Sequence, residues 1–249
     1  MGSGSGLIMN SKNFLRFAMA LAVALAAGIA QPGRAATGEE GLALAIVYDT
    51  SGSMKLQVPD GAGKLTPKYI IARRALESVL QQLQKFSTNS SSGGVRKIEA
   101  GLFAFRGTGI IEVVKFRPFD PKDLASWTSN LPPPISSTPL GAALSVAGRK
   151  VLESRLTRKH VLVITDGLNT AGPDPKVTMP KLKDQAAKEG AALSVHFVAF
   201  DVDAKVFAPL KMLGATVVGA ADEKQLNTQL EFILQRKILL EDEEVPVKK

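Results

Sequence analysis

Residues 42–54 read LALAIVYDTSGSM, and every later segment can be placed relative to them. The unbroken apolar run Leu42 to Tyr48, rich in Ile and Val, has the composition of a strand buried on both faces, as in a parallel sheet. It stops at polar oxygens. Asp49, Ser51 and Ser53 alternate around Gly52, so a carboxylate and two hydroxyls can face one point beyond the strand's carboxyl end, where open α/β sheets bind ligands. An oxygen-only donor set suits a hard cation such as Mg²⁺. Taken singly, the same residues also serve in turns and helix caps.

The rest of the chain supplies alternating strands and helices. After a Gly- and Pro-containing loop over 55–66, Pro67 stands where a helix can start. Ile70, Ile71, Ala75, Leu76, Val79, Leu80 and Leu83 then recur at helical spacing, ending before a flexible 87–94 segment. The runs 98–106 and 110–116 are separated only by Gly107-Thr108-Gly109. A connection that short forces an antiparallel pair, so the second run caps one edge of the sheet. A short helix over 120–131 carries Trp127, and Pro132 to Pro134 deliver Ser136-Ser137-Thr138 to a second surface loop. Pro139 opens a helix through Leu152 with Thr138 as its N-cap. Lys159 to Thr165 forms another buried strand ending at Asp166-Gly167, followed by a proline-punctuated loop (168–179) and a polar helix to Glu189. Strands at 193–200 and 216–218 and an amphipathic helix over 223–240 complete the domain. This order predicts an α/β fold: a doubly wound, mostly parallel sheet with helices on both faces. The strands ending at Asp49 and Asp166 then lie side by side where the winding reverses, and their carboxyl ends frame the crevice.

Composition narrows the setting. A chain of 249 residues, 45% hydrophobic, suffices for one good-sized core. Lys12 and Arg16, the apolar run 17–29 and then Gln31-Pro32-Gly33-Arg34-Ala35-Ala36, with small residues suited to cleavage after Ala35 or Ala36, follow the order of a secretory signal peptide, assigned to residues 1–35. The apolar run is short for a membrane span, which takes about 20 residues. The domain is expected over 36–240, with a disordered tail over 241–249. Without cysteine there is no disulfide framework and no thiolate metal site; an exported domain of this kind fits a bacterial periplasm or secretion. Removing Lys12, Arg16 and Arg34 from the formal +8 leaves 28 basic residues against 23 acidic, a net +5. That excess suits an acidic partner, but no basic stripe interleaved with aromatics marks nucleic acid.

Asp49, Ser51 and Ser53 in DTSGSM, Thr138 in SSTPLG and Asp166 in ITDG together resemble the metal-ion-dependent adhesion site (MIDAS) of von Willebrand factor A-type (VWA) domains, here of a bacterial exported type. The resemblance runs from about Gly41 to the last helix. It implies a Rossmann-like VWA fold. Ser51, Ser53 and Thr138 would contact Mg²⁺, with Mn²⁺ as the substitute, while Asp49 and Asp166 would hold it largely through water. Neutral hydroxyl ligands leave the ion electrophilic, so a protein partner's Asp or Glu can fill its open position. The expected function is metal-dependent protein capture without catalysis or a small-molecule substrate, and with membrane contact only transiently through the signal segment.

Alternatives stay open at this point. Thr138 also fits a pure helix cap, and Asp166 a cap of the Gly167 turn. His160 and His196 fall inside strands as packed core imidazoles, and Arg155 to His160 reads as a solvated helix end. One competing function is an accessory or assembly factor for a periplasmic or membrane complex. Another is an Mg²⁺-dependent phosphotransferase using a strand-end aspartate, although the position two residues after Asp49 is Ser51 where such enzymes carry a second carboxylate. Neither a P-loop around Gly63-Lys64 nor a GxSxG elbow is present.

Overall fold

The computed structural model describes residues 1, 38–88 and 96–239; the segment expected as a signal peptide apart from Met1, most of the 87–94 segment and the expected 241–249 tail lie outside them. From Gly38 onward the chain forms one compact unit. Its elements are β1 (Glu39–Tyr48), a 3₁₀ turn (Gly52–Lys55), β2 (Gln57–Pro59), β3 (Leu65–Pro67), α1 (Lys68–Thr88), β4 (Ile98–Arg106), β5 (Gly109–Pro118), α2 (Ala125–Ser129), α3 (Leu140–Glu153) and β6 (Leu156–Thr165). There follow α4 (Pro175–Lys188), β7 (Leu193–Phe200), a 3₁₀ turn (Ala204–Phe207), α5 (Ala208–Met212), β8 (Thr216–Ala220), α6 (Glu223–Ile233) and a π-helical extension (Leu234–Leu239).

Six strands form one sheet in the order β5-β4-β1-β6-β7-β8. All pairings are parallel except β4–β5, so the expected mostly parallel sheet with one antiparallel edge is what the chain adopts. Period-two alternation divides β1 between two cores. Leu42, Leu44, Ile46 and Tyr48 pack with Ile71, Leu76, Val79 and Leu80 of α1 and with Leu226 and Leu230 of α6. Ala43, Ala45 and Val47 face Ala143, Leu144 and Ala147 of α3 and Met179 and Leu182 of α4. Small residues on both sides of that second layer let α3 lie close to the sheet.

The antiparallel edge is irregular. The β4–β5 register shifts between Ala100 and Phe103, and there a Cβ on Gly101 would stand 2.9 Å from Phe116 Cα, so only glycine admits the crossing strand. Opposite the shift, the Phe116 N–H donates to the Glu112 carboxylate of its own strand at 2.6 Å.

Several expected boundaries move. The 55–66 loop contains the β2–β3 hairpin, closed by Asp60, whose carboxylate accepts from the Ala62 and Lys64 N–H groups and the Thr66 hydroxyl. Helix α4 starts at Pro175, inside the expected 168–179 loop, because Asp174 caps it by accepting from the Lys176 N–H. Arg155 to His160 is not a solvated helix end: Leu156 to His160 belong to β6. Buried Lys159 donates to the carbonyls of Val151 and Ser154, capping the C-terminus of α3 from the following strand. His160 and His196 are buried as expected and stack against each other across β6 and β7, with ring centroids 5.5 Å apart.

Candidate metal centre

The parallel register sets Tyr48 beside Ile164 and therefore brings the next residues, Asp49 and Thr165, together at the sheet's carboxyl edge. Asp49 is fully buried. Its Oδ1 accepts from the Ser51 N–H at 2.7 Å and its Oδ2 from the Thr165 hydroxyl at 2.6 Å. Burial pushes the Asp49 carboxyl up to about 6, helped by the negative Asp166 nearby and opposed by the bonds from Ser51 and Thr165.

The 3₁₀ turn after Ser51 swings Ser53 back over the strand end, leaving Ser51 Oγ and Ser53 Oγ 3.0 Å apart. Asp166 Oδ1 accepts from Ser53 Oγ at 2.7 Å and more distantly from Ser51 Oγ at 3.4 Å. Thr138 arrives on a separate loop stitched to this one: Ser136 bridges Ser51, the Gly52 N–H donates to the Ser136 carbonyl, and the Ser136 N–H donates to the Thr50 carbonyl. Thr50 is locked in turn to the end of β4, its hydroxyl bonding both the carbonyl and the N–H of Phe105. On its far side Thr138 is held by Thr170, whose hydroxyl accepts the Thr138 N–H and whose N–H donates to the Thr138 carbonyl. The structure thus gathers Asp49, Ser51, Ser53 and Asp166 directly. It fixes the Thr138 backbone beside them, with the Thr138 hydroxyl 3.9 Å from where a Cβ on Gly167 would stand.

Thr138 is not the N-cap of its helix. Pro139 takes that position and α3 begins at Leu140; the cap bond comes instead from Asn169, whose side-chain oxygen accepts the Gly141 N–H at 3.3 Å. The Thr138 hydroxyl is thereby released from the capping role that residue type alone implies.

The donor set fits a small divalent ion. Mg²⁺ takes oxygens at about 2.0–2.1 Å in an octahedron, whose adjacent ligands are then about 2.9 Å apart, and the two serine hydroxyls stand at that separation. Among the described residues no group of three or more His, Cys, Asp or Glu side chains gathers to hold a metal, so the donors at this centre are chiefly hydroxyls.

Sequence reading does not anticipate Lys68. This first residue of α1 is buried, and its Nζ lies 2.6 Å from Asp166 Oδ2, the oxygen turned away from the serines, and 3.2 Å from Asp201 Oδ2. Asp201, just beyond β7, adopts a left-handed backbone with φ 52°, fixed by its N–H donating to the Ala220 carbonyl. The signal was present in the helical periodicity: Lys68 falls three residues before Ile71 and seven before Ala75, on the buried stripe.

Solved structures with this fold include the PilB minor pilin from Streptococcus sanguinis, at TM-score 0.57 and 15% identity, with 83% of this chain matching 62% of the pilin. The vWF domain of the type V pili tip protein Mfa5 from Porphyromonas gingivalis matches at TM-score 0.53 and 12% identity, over 79% of this chain and 95% of that domain. Proximal thread matrix protein 1 from the mussel byssus, with a zinc-occupied MIDAS motif, matches at TM-score 0.54 and 14% identity, over 80% of this chain and 48% of its own. The chain thus spans less than two thirds of the pilin and of the byssus protein. No curated protein matches it. The family model for the von Willebrand factor type A domain matches residues 43–230, and the chain belongs to that family.

Proposed function

We propose that the chain is an exported protein-binding module with a complete MIDAS, in which Ser51, Ser53 and Thr138 hold Mg²⁺ or Mn²⁺ directly and Asp49 and Asp166 hold its waters. The observation that carries this reading is the convergence of Ser51, Ser53 and Asp166 Oδ1 over the fully buried Asp49, with the two serine hydroxyls 3.0 Å apart. A bound ion would supply an electrophilic position that a partner's Asp or Glu carboxylate can fill.

Capture is favoured over turnover because the Ser51 N–H and the Thr165 hydroxyl already bond the two oxygens of buried Asp49, which holds this carboxylate as a support for the centre rather than as an attacking nucleophile. The surroundings suit a protein surface. Leu56 and Leu65 on the hairpin side, Ile135 beside the Ser136 bridge and Leu168 two residues after Asp166 are each more than half exposed, an apolar set on the loops that carry the site. The export reading draws on the charged, apolar and small-residue order of residues 12–36, and on relatives of this fold that are a minor pilin and a pilus tip protein.

The test is capture of partner protein from a periplasmic extract by folded wild type and folded Asp49→Ala, each in Mg²⁺ and in chelator. Capture by wild type in Mg²⁺ alone supports the reading. Equal capture in all four conditions removes it.

A further inference from the structure

Lys68 is out of place by the ordinary rules. A cation in the first turn of a helix opposes the helix dipole, and a lysine is almost never fully buried unless it is paired. Here the side chain is 3% exposed and its ammonium meets one oxygen of Asp166 and one of Asp201. Asp166 therefore divides its charge between two clients: Oδ1 serves the serine hydroxyls and Oδ2 serves Lys68. Asp201 is the looser partner, with its own side chain 41% exposed.

We propose that Lys68 is the positioning residue that sets cation affinity at this centre, acting as a fixed internal cation that competes for the Asp166 charge, while Asp201 moderates it by taking a share of the ammonium. The proposal rests on the metal-binding reading above. Without a metal, Lys68 neutralises Asp166 and keeps the strand ends from repelling each other. A metal held on the serine side of Asp166 would be repelled by the ammonium on the carboxylate's other oxygen, through a buried region that screens weakly. The site trades tight binding for a scaffold that stays assembled when empty. A lysine kept only for structure would alter stability and leave metal affinity unmoved or weakened.

The experiment is calorimetric titration of the purified chain with Mn²⁺, for wild type, Lys68→Met and Asp201→Asn, alongside thermal melts in chelator. Asn also tolerates the left-handed backbone at 201. Lys68→Met is expected to bind Mn²⁺ about tenfold more tightly, since a repelling charge is gone, while its metal-free melting temperature falls. Asp201→Asn is expected to bind several-fold more weakly, because the ammonium is then committed to Asp166. General damage to the fold weakens both, so opposite signs identify the mechanism. Equal or weaker binding by a folded Lys68→Met overturns the proposal. If that variant does not fold, Asp201→Asn decides, and unchanged or tighter binding overturns it. Failure of wild type and both variants to bind Mn²⁺ removes the metal-binding reading itself, and this inference with it.

Discussion

The Thr165 hydroxyl donates to Asp49 Oδ2 at 2.6 Å, joining residues 116 apart in sequence at the ends of the two central strands. Because Asp49 is fully buried, this bond and the one from the Ser51 N–H are what satisfy its oxygens. Thr165→Val keeps the shape and removes the donor. Leaving that buried acceptor unpaired is expected to cost about 1–3 kcal/mol, read as a lower denaturant midpoint with an unchanged slope.

Divalent cation should stabilise the wild type. A ligand that binds only the folded state adds about 2.7 kcal/mol at a hundredfold excess over Kd, so melts in millimolar Mg²⁺ or Mn²⁺ should lie several degrees above melts in chelator. Asp49→Ala should lose the increment. A wild-type melt that ignores both metals, with no heat of binding, contradicts a working centre.

Thr138→Ala separates ligand from cap. Because Asn169 and Pro139 occupy the capping positions of α3, removing the Thr138 hydroxyl should change metal-free stability by less than about 0.5 kcal/mol while weakening Mn²⁺ binding. Asn169→Ala should do the reverse, costing about 0.5–2 kcal/mol of stability. Melts in chelator paired with titrations of both variants check the contrast.

Gly141→Ala tests how closely the 168–174 loop lies against α3. A Cβ there would stand 2.0 Å from the Pro173 carbonyl oxygen, a backbone atom, so the loop must shift as a body. The expected loss is about 1–3 kcal/mol, together with weaker metal binding, because the displaced loop carries Thr170 and with it the Thr138 backbone.

Much of this was legible from residues alone. The run 42–48 and its abrupt end at Asp49 announce a buried central strand, and Gly107-Thr108-Gly109 leaves β5 no choice but to run antiparallel. Periodicity recovers α1 because its buried stripe is regular. Other features depend on contacts distant in sequence. Thr138 resembles a cap until Asn169, some 30 residues later, is seen to supply the bond. The start of α4 is by contrast local, marked by Asp174 just before Pro175 inside a segment whose prolines read as a loop. Lys68 escaped notice because a charged residue at a helix start is ordinarily solvated, and only the fold brings Asp166 and Asp201 to it.

The bulged outer strand β5 bears on colloidal behaviour. An open sheet edge invites pairing with another chain, yet β5 sets the exposed charges of Lys115 and Arg117 along it. The register shift beside Gly101 twists the edge further out of line. Copies of a chain with neither disulfides nor thiols associate only through non-covalent contacts, and this margin gives them little purchase for growing a shared sheet.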